Sequence, residues 1–108
     1  MVNSVVIVGR AGQDPEMKYF ESEKVKTTFS LAVNRWDNRT KEEVTDWFNI
    51  EVWDKQAEFA GEWIKKGRMV GVEGRLISNK WQGADGTMNE RFIIRATNVR
   101  LIGGRKEE

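Results

Sequence analysis

The chain has 108 residues, with 18 Lys and Arg against 17 Asp and Glu. That length suits one domain with its own core, and the near-zero net charge gives no general pull on a polyanion, so any grip on phosphate must come from placed cations. Cysteine and histidine are both absent, which removes disulfides, thiolate or imidazole metal sites and histidine-based catalysis, and leaves no metal or cofactor expected.

The opening residues MVNSVVIVGRAG carry no basic segment ahead of a long apolar run, so they read as a first strand and not as a signal or membrane span. Val5 to Val8 is apolar at every position. Both faces of that strand should therefore be covered, one by a barrel core and the other by a subunit contact or by the rest of the chain. Gly9, Gly12 and Gln13-Asp14-Pro15 mark a bend, and Glu16 to Phe20 extends the strand.

From Val25 to Trp36 the chain alternates. Val25, Thr27, Phe29, Leu31 and Val33 share one face, and Lys26, Thr28, Ser30, Ala32, Asn34 and Trp36 share the other. Asp37 to Glu43 is a charged hairpin connection. It leads into VTDWFNIEVWDK, residues 44–55, where Val44, Asp46, Phe48, Ile50 and Val52 make a mostly apolar face. Thr45, Trp47, Asn49, Glu51 and Trp53 make the opposite one. A polar face that keeps large aromatics presents them to a partner. In a regular strand Trp47 and Trp53 stand roughly 20 Å apart, the reach of a few unstacked bases.

Asp54 is positioned to cap a helix whose apolar residues Ala57, Phe59, Ala60, Trp63 and Ile64 follow a helical period, with Lys65 and Lys66 in its last turn and Gly67 as a left-handed stop. Trp63 is therefore expected in the core. Val70 to Lys80 is a further strand, with Val70, Val72, Gly74 and Leu76 on one face and Glu73, Arg75, Asn79 and Trp81 on the other. Gln82 to Asn89 reads as an exposed hairpin tip, and Phe92 to Ile102 as the last strand, its alternation slipping near Thr97 and Asn98 where a bulge is expected. Residues 103–108 form a short polar tail on a single domain spanning 1–102. Five strands with one short helix between the third and fourth is the order of an all-β OB-fold, a partly open Greek-key barrel.

Four blocks in register, VVIVGRAGQDPEMKYF, KTTFSLAVNRW, TDWFNIEVWDKQAEFAGEWIKKG and VEGRLISNKW, resemble the bacterial single-stranded DNA-binding protein family, closest in wording to its cyanobacterial and plastid members. The resemblance runs from about Asn3 to Ile102. It implies a homotetramer of OB-folds that binds single-stranded DNA without regard to sequence, in replication, recombination and repair, in the bacterial cytosol or nucleoid or in a plastid. It matches Trp36, Trp47, Trp53 and Trp81 to the family's base-stacking aromatics, and puts Phe48 where a subunit-interface side chain, often histidine, stands. Members usually end in an acidic tip of aspartates, proline and phenylalanine that recruits other proteins. This sequence ends Gly-Gly-Arg-Lys-Glu-Glu, and recruitment through such a tip is not expected.

Cations beside the tryptophans or at element ends are the candidates for phosphate: Arg35, Lys55, Lys66, Arg75 and Lys80. Each alone also fits an ordinary solvated charge. The competing reading is an OB-fold protein-interaction module of a replication-restart complex, using the same aromatic face. An enzyme is not expected, because Asp37, Glu42, Glu43 and Asp46 sit in and beside a charged loop with no partner constellation.

Overall fold

The computed structural model describes residues 1–103; positions 104–108, most of the polar tail, lie outside the described residues. Six strands and one helix follow one another as β1 (Val5–Ala11), β2 (Glu16–Tyr19), β3 (Val25–Asp37), β4 (Glu42–Trp53), α1 (Asp54–Trp63), β5 (Met69–Gln82) and β6 (Met88–Leu101). The first side of the barrel is split: β1 and β2 are separate strands, broken at residues 12–15, where Pro15 has no N–H to give a ladder. The helix therefore follows the fourth strand and not the third, although the order of segments is the expected one.

The sheet runs β1-β5-β6-β4-β3-β2 and closes through a β1–β3 pairing at Arg10↔Ala32 and Ala11↔Leu31. Neighbouring strands are antiparallel except β4 and β6, which meet in parallel at Ile50↔Ile94 and Glu51↔Arg95. The alternation read in β3 and β4 holds: Val25, Thr27, Phe29, Leu31, Ile50 and Val52 are buried, with Val70, Val72, Ile94 and Val99 completing the core from the other strands. Phe48 is partly buried against the same cluster. Against β5, Glu73 pairs with Asn98 but Gly74 with Ala96, so Thr97 is the extra residue of the expected bulge. Its hydroxyl donates to the Glu73 carbonyl, 3.2 Å away. Glycine is required at 74, because a Cβ there would lie 2.2 Å from the Arg95 carbonyl oxygen.

Helix α1 lies across one end of the barrel and adds Ala57 and Ala60 to the core, with Ile64 buried just past its C-terminus. The buried hydroxyl of Thr27 fixes it there, donating to the Ala57 carbonyl at 2.6 Å. Three details differ from expectation. Asp54 is not a cap; it is the first helical residue, at φ 59°, and the residue before it, Trp53, offers no side-chain cap. A left-handed residue at the strand-to-helix corner turns the chain abruptly, and aspartate tolerates that conformation better than most residues. Lys65 and Lys66 fall beyond the helix, in a turn closed by the Arg68 N–H on the Lys65 carbonyl, where Gly67 adopts φ 88°. Trp63 is not core: it is 54% exposed. The buried stripe at 57, 60 and 64 is narrow, and positions 59 and 63 lie about a quarter-turn or more off it.

Both faces of β1 are not covered within one chain. Val5 and Ile7 pack on the core, while Val6 and Val8 are exposed and line, with Gly71, Arg100 and Ile102, a mainly apolar groove of about 160 Å³. No helix among the described residues is long and apolar enough to cross a membrane.

Candidate nucleic-acid interface

Antiparallel partners share a face, so the β3–β4 register fixes what stands beside each tryptophan. Trp53 is opposite Lys26, Glu51 opposite Thr28, Asn49 opposite Ser30, Trp47 opposite Ala32 and Trp36 opposite Glu43. All of these lie on the outer, polar face, with Trp36 and Trp47 exposed there. Trp47 has room for two reasons. Ala32 across from it is small, and the indole lies over Gly12 at the end of β1, where a Cβ would come within 2.5 Å of the ring.

Trp53 is held on its edge and on its face. Its Nε1–H donates to Glu51 Oε1 at 2.9 Å, and Phe20, from the turn after β2, stacks on it with centroids 5.6 Å apart and planes inclined by 27°. Lys26 Nζ lies 5.6 Å from the Trp53 ring and Lys18 Nζ 5.2 Å from the Phe20 ring, both within cation–π range. The Glu51 side chain, only 12% exposed, is shared further: Arg95 Nε donates to the same oxygen at 2.9 Å, and Lys26 Nζ stands 3.9 Å from the other. A carboxylate in the middle of an aromatic, cationic surface thus orients one indole and two cations together.

The β5–β6 hairpin forms the far wall. Trp81 and Asn89 pair on one of its faces with Arg75, Arg95, Asn79 and Arg91, and Trp81 is exposed. Asn79 and Arg91 lean over Lys26, Thr28, Ser30 and Asn49 to bound a groove of about 180 Å³ between hairpin and sheet. The fourth tryptophan therefore faces the same side of the molecule as the other three.

The predicted cations do not all follow. Arg35 shares the odd positions of β3 and lies on the opposite face of the β3–β4 ribbon from Trp36 and Trp47. It is paired there with Asp46, Nε to Oδ2 2.7 Å, and that hydrogen bond and charge raise its pKa above the ordinary value. Lys80 is opposite Glu90, on the hairpin face away from Trp81. Arg75 pairs with Arg95 on the tryptophan-bearing face. Lys55 is exposed in the first turn of α1, two residues beyond Trp53, and Lys66 is exposed in the turn after the helix, its backbone N–H bonded to Asp14. Sequence reasoning missed Phe20, Glu51, Arg91 and Arg95 as parts of the site, and also Lys26, although Lys26 belongs to the polar set of β3. No cluster of three metal-ligating side chains occurs among the described residues.

The model of the single-strand binding protein family matches residues 2–102. Single-stranded DNA-binding protein 1 of Synechocystis sp. is 46% identical over 107 residues, covering 98% of this chain and 88% of that protein. The single-stranded DNA-binding protein of Thermosynechococcus vestitus is also 46% identical, covering 98% and 87%. Among solved structures, the Plasmodium falciparum SSB in complex with ssDNA is similar at a TM-score of 0.86 and 29% identity, over 95% of this chain and 96% of that one. A closed barrel whose polar outer face carries three indoles, matched over nearly its whole length by these proteins, makes the chain a member of the single-strand binding protein family.

Proposed function

We propose that this chain binds single-stranded DNA without regard to sequence, protecting it during replication, recombination and repair at the bacterial nucleoid or in a plastid. The observation that carries the reading is the set of Trp36, Trp47 and Trp53 on one polar sheet face, with Trp81 on the hairpin wall beside it. Every base has a π-face, so indoles accept any sequence, at about 1–3 kcal/mol per base; this family is the standard example of that behaviour. Arg75, Lys55 and Lys66 supply positive charge at the margins, and phosphate contact by such groups makes affinity fall with salt. Arg35 and Lys80, turned away and paired or facing a carboxylate, contribute little.

The chain works as a homotetramer. Two features support this: along Val5–Gly9 the strand β1 is paired only with β5, which leaves its other edge open, and its outward residues Val6 and Val8 are apolar. An open edge beside an exposed apolar face suits a second copy of the same strand.

Tryptophan fluorescence titrated with oligo-dT at low and high salt tests the reading. Saturable quenching whose midpoint weakens with salt is expected. Absence of quenching at micromolar protein overturns it in favour of a protein-interaction module.

A further inference from the structure

Between Trp47 and Trp53 the outer face is polar, and the four predicted tryptophans leave that span without a partner for the nucleotide backbone. Two clefts meet there. One is the groove under the hairpin already described; the other, about 500 Å³, is lined by Lys18, Lys26, Thr28 and Arg91 together with Glu16 and Met17. Lys26 and Arg91 line both, so they stand at the junction, one on the sheet and one on the hairpin. Arg91 makes no ion pair among the described residues. Lys26 is 3.9 Å from Glu51, whose charge is already met at 2.9 Å by Arg95. Lys18, which lines the second cleft, stands 5.2 Å from the ring of Phe20, and Phe20 in turn stacks on Trp53.

Resting on the single-stranded DNA reading above, we propose that Phe20, Lys26 and Arg91 form a further nucleotide subsite: Phe20 adds a fifth stacking ring beyond Trp53, and Lys26 and Arg91 hold the phosphates of the strand as it passes from Trp47 beneath the hairpin. The chemistry is that of a single-stranded polyanion: a planar apolar surface for the base beside two cations on opposite walls, one of them Arg, whose guanidinium can give a phosphate two hydrogen bonds. The hairpin is then a clamp as well as the carrier of Trp81.

The test is the affinity for oligo-dT across a salt series, measured for the full chain and for Phe20→Leu, Lys26→Gln and Arg91→Gln. Leu keeps apolar bulk at an incompletely buried position while removing the ring. Each lost phosphate contact should reduce the slope of log K against log salt by about 0.7 for Lys26→Gln and for Arg91→Gln. Phe20→Leu should leave the slope unchanged and weaken binding at fixed salt by about five-fold or more, the low end of base–aromatic stacking. Wild-type slopes in both charge variants, or wild-type affinity in Phe20→Leu, overturn the subsite. Trp47→Ala separates the two levels of the argument. If wild type binds and Trp47→Ala weakens it while these three variants behave as wild type, only the subsite falls. If wild type itself does not bind oligo-dT, the reading beneath it falls as well.

Discussion

Trp47→Ala and Trp63→Ala form a matched pair, because the two indoles are about equally exposed, 60% and 54%, and only Trp47 lies on the proposed binding face. An aromatic side chain buries 150–250 Å² when fully enclosed, so each of these hides roughly 60–120 Å². At about 25 cal/mol per Å² that is roughly 1.5–3 kcal/mol, an upper estimate, since unfolded chains already hide part of their apolar surface. Both variants should therefore lose similar stability, well short of a buried Trp truncation, and both should fold. Binding separates them. Trp47→Ala should lose about 1–3 kcal/mol of affinity for oligo-dT, or about 5- to 150-fold, and Trp63→Ala should bind as wild type. Chemical denaturation and fluorescence or anisotropy titration measure the two quantities on the same samples. Equal loss of affinity in both variants, or none in Trp47→Ala, refutes the assignment of faces; a Trp63→Ala protein that fails to fold refutes the burial argument.

Glu51→Gln keeps an acceptor for the Trp53 N–H but removes a charge. A phosphate hydrogen-bonded to Lys26 would stand up to about 6.7 Å from the Glu51 carboxylate, where repulsion at an effective dielectric of 40–80 is roughly 0.6–1.2 kcal/mol. Binding should tighten by about 3- to 8-fold; weaker binding would show that Glu51 acts chiefly by orienting Trp53. Thr27→Val deletes the hydroxyl that holds α1 on the barrel and should cost about 1 kcal/mol, with the melting temperature falling by about 4–8 °C and DNA affinity unchanged. A melting temperature equal to wild type would remove Thr27 from any role in fixing the helix. Val8→Glu puts a charge on the apolar outer face of β1 and should reduce the mass seen in light scattering to that of a smaller assembly. A mass unchanged from wild type would place the subunit contact elsewhere.

The faces of β3 and β4 were legible in the sequence because side-chain parity in a strand is exact, and long paired strands keep it: every residue from Lys26 to Trp36 and from Thr45 to Trp53 falls on the side that alternation assigns. The bulge at Thr97 was legible for the same reason, as a break in phase. The resemblance to the family holds over residues 2–102. Other features depend on what sequence spacing does not carry. Trp63 follows a helical period, but whether a residue at the margin of the stripe is covered depends on how broad a surface the barrel end offers, and here it covers only the two alanines and Ile64. Arg35 is adjacent to Trp36 in sequence and for that very reason faces the other way. Lys80 stands in the same relation to Trp81. Phe20 follows a four-residue strand with too little alternation to read, and it meets Trp53 only through the fold. Arg91 reaches the groove because the β5–β6 hairpin leans over the sheet, a tertiary angle with no local signature.

The tethering of Trp53 has a consequence for the entropy of binding. A side chain that must be ordered on association costs about 0.5–1.5 kcal/mol. Trp53 has already lost that freedom on folding, through its bond to Glu51 and its stack on Phe20, whereas Trp36 and Trp81 have no such restraint among the described residues. On the proposed stacking roles, and for equal stacking energy, a base on Trp53 would therefore be held more tightly than one on Trp36 or Trp81. Four chemically identical indoles would then be unequal steps, and a strand peeling from the surface would leave the loose ones before the fixed one.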